Sequence, residues 1–199
     1  MAVNTILYDL GRVLLAFDYA PIYAKLSELS GMPVAKFKPF IDINYVDFAS
    51  GRMTPEEWHT FVCEHMGIEV SFDEFRAFWA DIFWPIEEMW DSAHKLHEKY
   101  PQYLLSNTDP IHVPWCLSRW PLEEIVDGMI LSYEIEAYKP DFRIYERGLA
   151  KFGLKAADCV FIDDMPENIA AAKACGLAGI VCESPEQVLR DLAKLGIEV

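Results

Sequence analysis

Apolar and polar positions along this 199-residue chain follow two different periods. Short, nearly continuous apolar runs at 4–8, 102–105, 129–131, 159–162 and 178–181 read as buried strands. Helical patterns follow the last four, at 110–119, about 141–152, 167–175 and 184–195. Gly153, Gly176 and Gly196 stand where C-terminal helix caps belong. This alternation predicts a parallel sheet with right-handed helical crossovers. Between about Tyr19 and Trp90 the period is helical only. Ile22, Leu26 and Leu29 share one spacing, as do Trp58, Phe61, Val62 and His65, and then Phe72, Phe75, Trp79 and Ile82. Thr54-Pro55-Glu56-Glu57 and Ser71-Phe72-Asp73-Glu74 are capping-box starts for two of these helices. The expected architecture is a doubly wound α/β core, residues 1–16 and 88–199, with a helical cap at 17–87 inserted after the first strand.

Composition narrows the function. A hydrophobic content of 52% supports a full core, and a formal charge of −15 excludes a basic surface for nucleic acid or anionic membrane. No apolar run reaches the ~20 residues of a membrane span, and no signal-peptide pattern opens the chain. The five cysteines (63, 116, 159, 175, 182) are odd in number and lack Cys-x-x-Cys spacing. That usage fits a cytoplasmic protein without disulfides or zinc.

The polar residues that matter fall at the ends of the predicted core strands. Asp9 and Gly11 follow the first, Ser106-Asn107 the second, Lys139-Pro140 comes a short connection after the third, and Asp163-Asp164 follow the fourth. Carboxyl ends of parallel strands are where open α/β sheets bind ligands. A carboxylate nucleophile, further carboxylates for a hard cation, a hydroxyl and an ammonium together make a kit for phosphoryl transfer.

In that order, these clusters resemble the motifs of the haloacid dehalogenase-like (HAD) superfamily of hydrolases. Ile6-Leu7-Tyr8-Asp9-Leu10-Gly11-Arg12-Val13 is similar to the first motif, Leu104-Leu105-Ser106-Asn107 to the second and Lys139-Pro140 to the third. Phe161-Ile162-Asp163-Asp164, with Ala171-Ala172-Lys173-Ala174-Cys175-Gly176 beyond it, is similar to the fourth. The resemblance implies a phosphatase of the small-helical-cap branch acting on a small phosphorylated metabolite. It implies Asp9 as the nucleophile that forms an aspartyl-phosphate, and Mg²⁺ held by Asp9, the Gly11 carbonyl and Asp164. Asp163 would stand behind that ligand set. Ser106 and the Asn107 backbone would bind phosphate, and Lys139 would neutralise charge between phosphate and Asp9.

One position departs from the family. Phosphatases of this kind usually carry a second Asp where Gly11 stands, as general acid and base. Its loss costs about 10²–10⁴ in rate unless the leaving group needs no proton or another group supplies one. Asp18, Asp109 and His112 lie near in sequence as substitutes, and the Asp-Leu-Gly opening is similar to that of sugar-1-phosphate phosphatases. Two alternatives remain: a catalytically impaired phosphate- or partner-binding protein on the same fold, and a haloacid dehalogenase. The dehalogenase reading is the weaker, because that branch has an aromatic residue at position 11 and no metal pair. Phe17, Tyr19, Tyr45 and Phe48 are expected to line a substrate pocket.

Overall fold

All four residues of the first strand, β1 (Thr5–Tyr8), are buried, as an apolar run covered on both faces must be. The computed structural model describes residues 3–198. After β1 the chain forms β2 (Leu15–Phe17), then α1 (Ala20–Ser30), α2 (Val34–Ala49), α3 (Pro55–Met66) and α4 (Phe72–Ala80), and returns through β3 (Phe83–Pro85). The remainder alternates: α5 (Glu87–His97), β4 (Gln102–Ser106), α6 (His112–Arg119), β5 (Gly128–Leu131), α7 (Ser132–Ile135) and α8 (Phe142–Lys151). β6 (Cys159–Asp163), α9 (Pro166–Ala174), β7 (Ala178–Val181) and α10 (Pro185–Lys194) complete it.

The five long-range strands pair in parallel in the order β5-β4-β1-β6-β7. This is the doubly wound sheet that the alternating pattern predicts. Alternate side chains serve opposite faces. Ile6, Tyr8, Leu104, Val160 and Ile162 join one apolar cluster with Met89, Ala93 and Leu96 of α5, and Leu192 of α10. Leu7, Leu105 and Phe161 join a second with Ile144 and Leu149 of α8 and Ile169 of α9. The chain runs outward from β1 through β4 to β5, then crosses to β6 on the other side of β1. Adjacent strands leading in opposite directions leave a crevice at their carboxyl ends, here between β1 and β6.

The helices α1–α4 build a core of their own from Phe37, Phe48, Trp58, Phe75 and Trp79, among others. Phe48 stacks on Trp58 at 5.3 Å between centroids and Phe75 on Trp79 at 5.1 Å. Both capping boxes form, at Thr54/Glu57 and Ser71/Glu74. Several elements had no sequence signal, among them α5, α7, helix α2 and the ribbon β2–β3. Helix α2 carries Pro39 in its interior, a residue that normally breaks the pattern. The ribbon β2–β3 pairs antiparallel, Phe17 opposite Phe83, and its three-residue strands are too short to show a period. Both passages between the sheet and the helical unit run through this ribbon. No helix among the described residues is long and apolar enough to cross a membrane.

Candidate active site

Strand register assembles the site. Tyr8 pairs with Ile162 of β6 and Leu104 of β4, so Asp9 emerges level with Asp163 and one residue short of Ser106. The ammonium of Lys139 reaches in from the loop after α7. It lies 2.9 Å from Asp9 Oδ1, donates to Asp163 Oδ2 at 2.6 Å and donates to the Leu105 carbonyl at 3.1 Å. Three donors meet three acceptors, and the lysine is 2% exposed. Carboxylate oxygens of Asp9, Asp163 and Asp164 lie within 4.8 Å of one another.

These carboxylates are not equivalent. Asp163 is fully buried. Its oxygens accept from Lys139, from the Met165 amide at 2.8 Å and from Asn168 Nδ2 at 3.0 and 3.1 Å. It has no lone-pair direction to spare for a ligand. Asp9 Oδ1 takes Lys139 and the Leu10 amide (2.8 Å), and no side-chain or turn hydrogen bond of the described residues uses Oδ2. Among the described residues, Asp164 pairs only with Arg12, at 3.9 Å. None of the hydrogen bonds of the turn after β1 uses the Gly11 carbonyl.

The charges do not balance, with three carboxylates around one ammonium. Burial pushes the Asp9 carboxyl up to about 6, against the pull of Lys139 and with the help of Asp163. Burial, then the charge of Asp163, also raises Asp164. A site that holds carboxylates above their usual range for want of positive charge fits a divalent cation. The donor set, all oxygen and carboxylate-rich, suits Mg²⁺.

A cavity of about 600 Å³ opens above these groups. Ser106, Asn107, Lys139 and Asp164 line its floor together with Asp9 and Gly11. Its walls come from the ribbon and the helical unit, with the rings of Phe17, Tyr19, Tyr23, Tyr45, Trp79 and Phe83. Far from the carboxylates in sequence, Tyr23 donates to Asp42 at 2.6 Å and Lys38 pairs with the same carboxylate.

A profile of haloacid dehalogenase-like hydrolases matches residues 5–176, which takes in all four polar clusters. The chain belongs to that family. A D-ribitol-5-phosphate phosphatase from Bacteroides thetaiotaomicron is 25% identical over 139 residues, 66% of this chain and 68% of the relative. The crystal structure of a HAD family enzyme from the same organism superposes with a TM-score of 0.84 at 28% identity, over 90% of this chain and 93% of that one. The wild-type form of that enzyme in complex with magnesium and inorganic phosphate gives 0.81 at 28% identity, over 89% and 93%.

In this HAD-like hydrolase the structure also adjusts several expectations. The Asn107 backbone is the group expected to meet phosphate, and its side chain is engaged elsewhere. Its Oδ1 accepts from the Lys139 amide at 2.7 Å and its Nδ2 donates to the Lys139 carbonyl at 3.1 Å, fixing the backbone that carries the lysine. Phe17, Tyr19 and Tyr45 line the cavity; Phe48 does not, because it is stacked in the helical unit's core. The substitutes proposed for a proton donor fail on geometry. Asp18 caps the start of α1 by accepting from Ala20 and lies outside the cavity. Asp109 is fully buried with four donors on its two oxygens, and both ring nitrogens of His112 are bonded within the protein. Arg12, whose sequence context says nothing of its place, has a left-handed backbone (φ 60°). Its guanidinium stands 5.3 Å over the Phe17 ring.

Proposed function

We propose that this chain is a phosphomonoester hydrolase in which Asp9 attacks phosphorus and carries the phosphoryl group as an aspartyl-phosphate. The observation that carries this reading is the buried lysine between Asp9 and Asp163, with one Asp9 oxygen left free at the floor of a ligand-sized cavity. The new Asp9–phosphorus bond replaces the ester bond, and the leaving oxygen departs toward the cavity. Water then cleaves the acyl phosphate and regenerates the carboxylate. Lys139 holds Asp9 in its attacking orientation and balances charge on the phosphate oxygens. Ser106 offers its hydroxyl to one of those oxygens.

Asp9, Asp164 and the Gly11 carbonyl would hold Mg²⁺, with Asp163 orienting Lys139 and the loop to Asn168 behind them. Bound there, the ion would supply Lewis-acid charge for a phosphate oxygen. The magnesium and phosphate bound in the structural relative support this assignment. We expect EDTA to abolish phosphate release and added Mg²⁺ to restore it; turnover that survives EDTA would remove the ion from the reading.

The substrate is a small phosphorylated metabolite with a polar tail. Aromatic walls and the Tyr23–Asp42–Lys38 hydrogen-bonding group suit a sugar or polyol tail; a relative that acts on D-ribitol 5-phosphate supports that tail, though its leaving group is a primary alkoxide. Gly11 bears no proton donor, so acyl and anomeric phosphates should be turned over faster than primary alkyl phosphates. A Cβ on Gly11 would fall 2.6 Å from Phe17 Cε1. Gly11→Asp alone therefore has to displace that ring, which costs about 1–3 kcal/mol as overpacking does. The single variant should gain nothing on alkyl phosphates, whereas Gly11→Asp with Phe17→Ala should gain. A gain by the single variant in a phosphate-release assay would show that the ring yields freely.

A further inference from the structure

Two charged residues outside the reacting groups are buried where the sheet meets the helical unit. Asp109 follows the loop that carries Ser106 and Asn107 and is 0% exposed; His112 opens α6 and is 1% exposed. Asp109 Oδ1 accepts from the Ile111 and His112 amides, both at 2.8 Å. Its Oδ2 accepts from the Tyr45 hydroxyl of α2 at 2.8 Å and lies 2.6 Å from His112 Nδ1. His112 Nε2 lies 2.9 Å from the Trp79 carbonyl in the last turn of α4. Both ring nitrogens of His112 are thus engaged, one with the Asp109 carboxyl group and one with the α4 backbone.

Each side chain meets a helix end: Asp109 accepts from the first amides of α6, and the His112 ring stands against a terminal carbonyl of α4. Burial pushes the Asp109 carboxyl up, but the charge and hydrogen bonds of His112 outweigh it and hold it below the usual range. The neighbouring Ser132 makes a parallel connection. Its hydroxyl donates at 2.5 Å to the Ala49 carbonyl at the end of α2 and accepts from the Thr108 amide at 2.9 Å. The loop 106–112 is thus joined to α2 at two points and to α4 at one. Tyr45, Trp79 and His112 line the same cavity as Ser106 and Asn107.

We propose that Asp109 and His112 are positioning residues: they fix Tyr45 and Trp79, the far wall of the cavity, against the loop that meets phosphate, and so set which substrate tail is accepted. The proposal rests on the hydrolase reading only for its kinetic readout. A pair that served stability alone would change all substrates alike. A pair that sets the wall changes those with a tail, since small misplacements of a binding wall act on substrate positioning.

The test compares wild type, His112→Gln and Asp109→Asn, the last of which does not line the cavity, on acetyl phosphate, which has almost no tail, and on glucose 1-phosphate. We expect KM for glucose 1-phosphate to rise about tenfold and KM for acetyl phosphate less than twofold. Amide exchange in α4 around Trp79 should quicken in the same variants. Equal losses on the two substrates, or no change on either, overturn the proposal. If His112→Gln does not fold, Asp109→Asn, which keeps the size of the side chain and removes its charge, decides alone. If wild type releases phosphate from neither compound, amide exchange decides the positioning role by itself: quickening around Trp79 supports it, and unchanged exchange overturns it.

Discussion

Asp9→Asn should reduce phosphate release by more than about 10⁴-fold while leaving the protein folded. An amide oxygen is a poor nucleophile, and no other free carboxylate stands in its place. Asp163 is saturated by Lys139, Met165 and Asn168, and Asp164 is the candidate cation ligand. The stability half of the expectation follows from charge. Asp9 has its carboxyl raised from 3.8 to about 6 by burial and by Asp163. A raised acid favours folding while it is protonated, and that preference fades as pH climbs from about 4 through 6. At neutral pH the ion-free protein therefore carries an unfavourable charge at residue 9, which asparagine lacks. The variant should melt no lower than wild type in EDTA at pH 7.5. Acid-quenched phosphate assays and thermal melts on the same sample separate the two halves. Retained turnover would remove Asp9 as nucleophile, and a much lower melting temperature would mean that the lost activity says nothing about chemistry.

Lys139→Met should cost more in stability than any other single change at the site. The ammonium is sealed and makes three contacts, to Asp9, Asp163 and the Leu105 carbonyl. Methionine fills similar space but leaves two buried carboxylates facing each other. Removing one partner of a buried charge group costs about 3–5 kcal/mol. For a chain of this length that is a fall of roughly 10 °C or more in melting temperature. Activity should vanish as well, since Asp9 loses its orienting donor. Adding Asp163→Asn to Lys139→Met should recover part of the stability, because one uncompensated charge disappears, and none of the activity. A Lys139→Met protein that melts within about 2 °C of wild type would show that the carboxylates find water or protons at little cost.

Much of the core was legible because its signals are local. The run Thr5–Tyr8 is buried along its whole length, and a strand with no polar alternation has few other places to go. Asp9, Ser106 and Asp163 fall at strand ends or just past them, so a parallel sheet brings them to one edge whatever its details; Lys139 comes in from beyond α7. The helical insert announced itself through Thr54 and Ser71, whose capping boxes form as their spacing requires. Helix α2 gave no such notice, because Pro39 in its interior contradicts a helix locally and only the packing of Phe37, Ile41 and Phe48 overrides it. The ribbon β2–β3 depends on partners nearly seventy residues apart, which no local pattern records.

The site divides along the same line. The sequence by itself determined which groups are available: an aspartate at the end of the central strand, a lysine, an acidic pair and a glycine without a proton donor. Tertiary structure alone decided how each is spent. It saturates Asp163 and leaves an Asp9 oxygen free, and it turns Asn107 toward the Lys139 backbone. It fills the space beside Gly11 with the ring of Phe17 and seals Asp109 and His112 into the joint between sheet and helical unit. The reason is physical: residue type fixes what a side chain can donate, accept or ionise, but burial and long-range partners fix which of those capacities remain for a substrate.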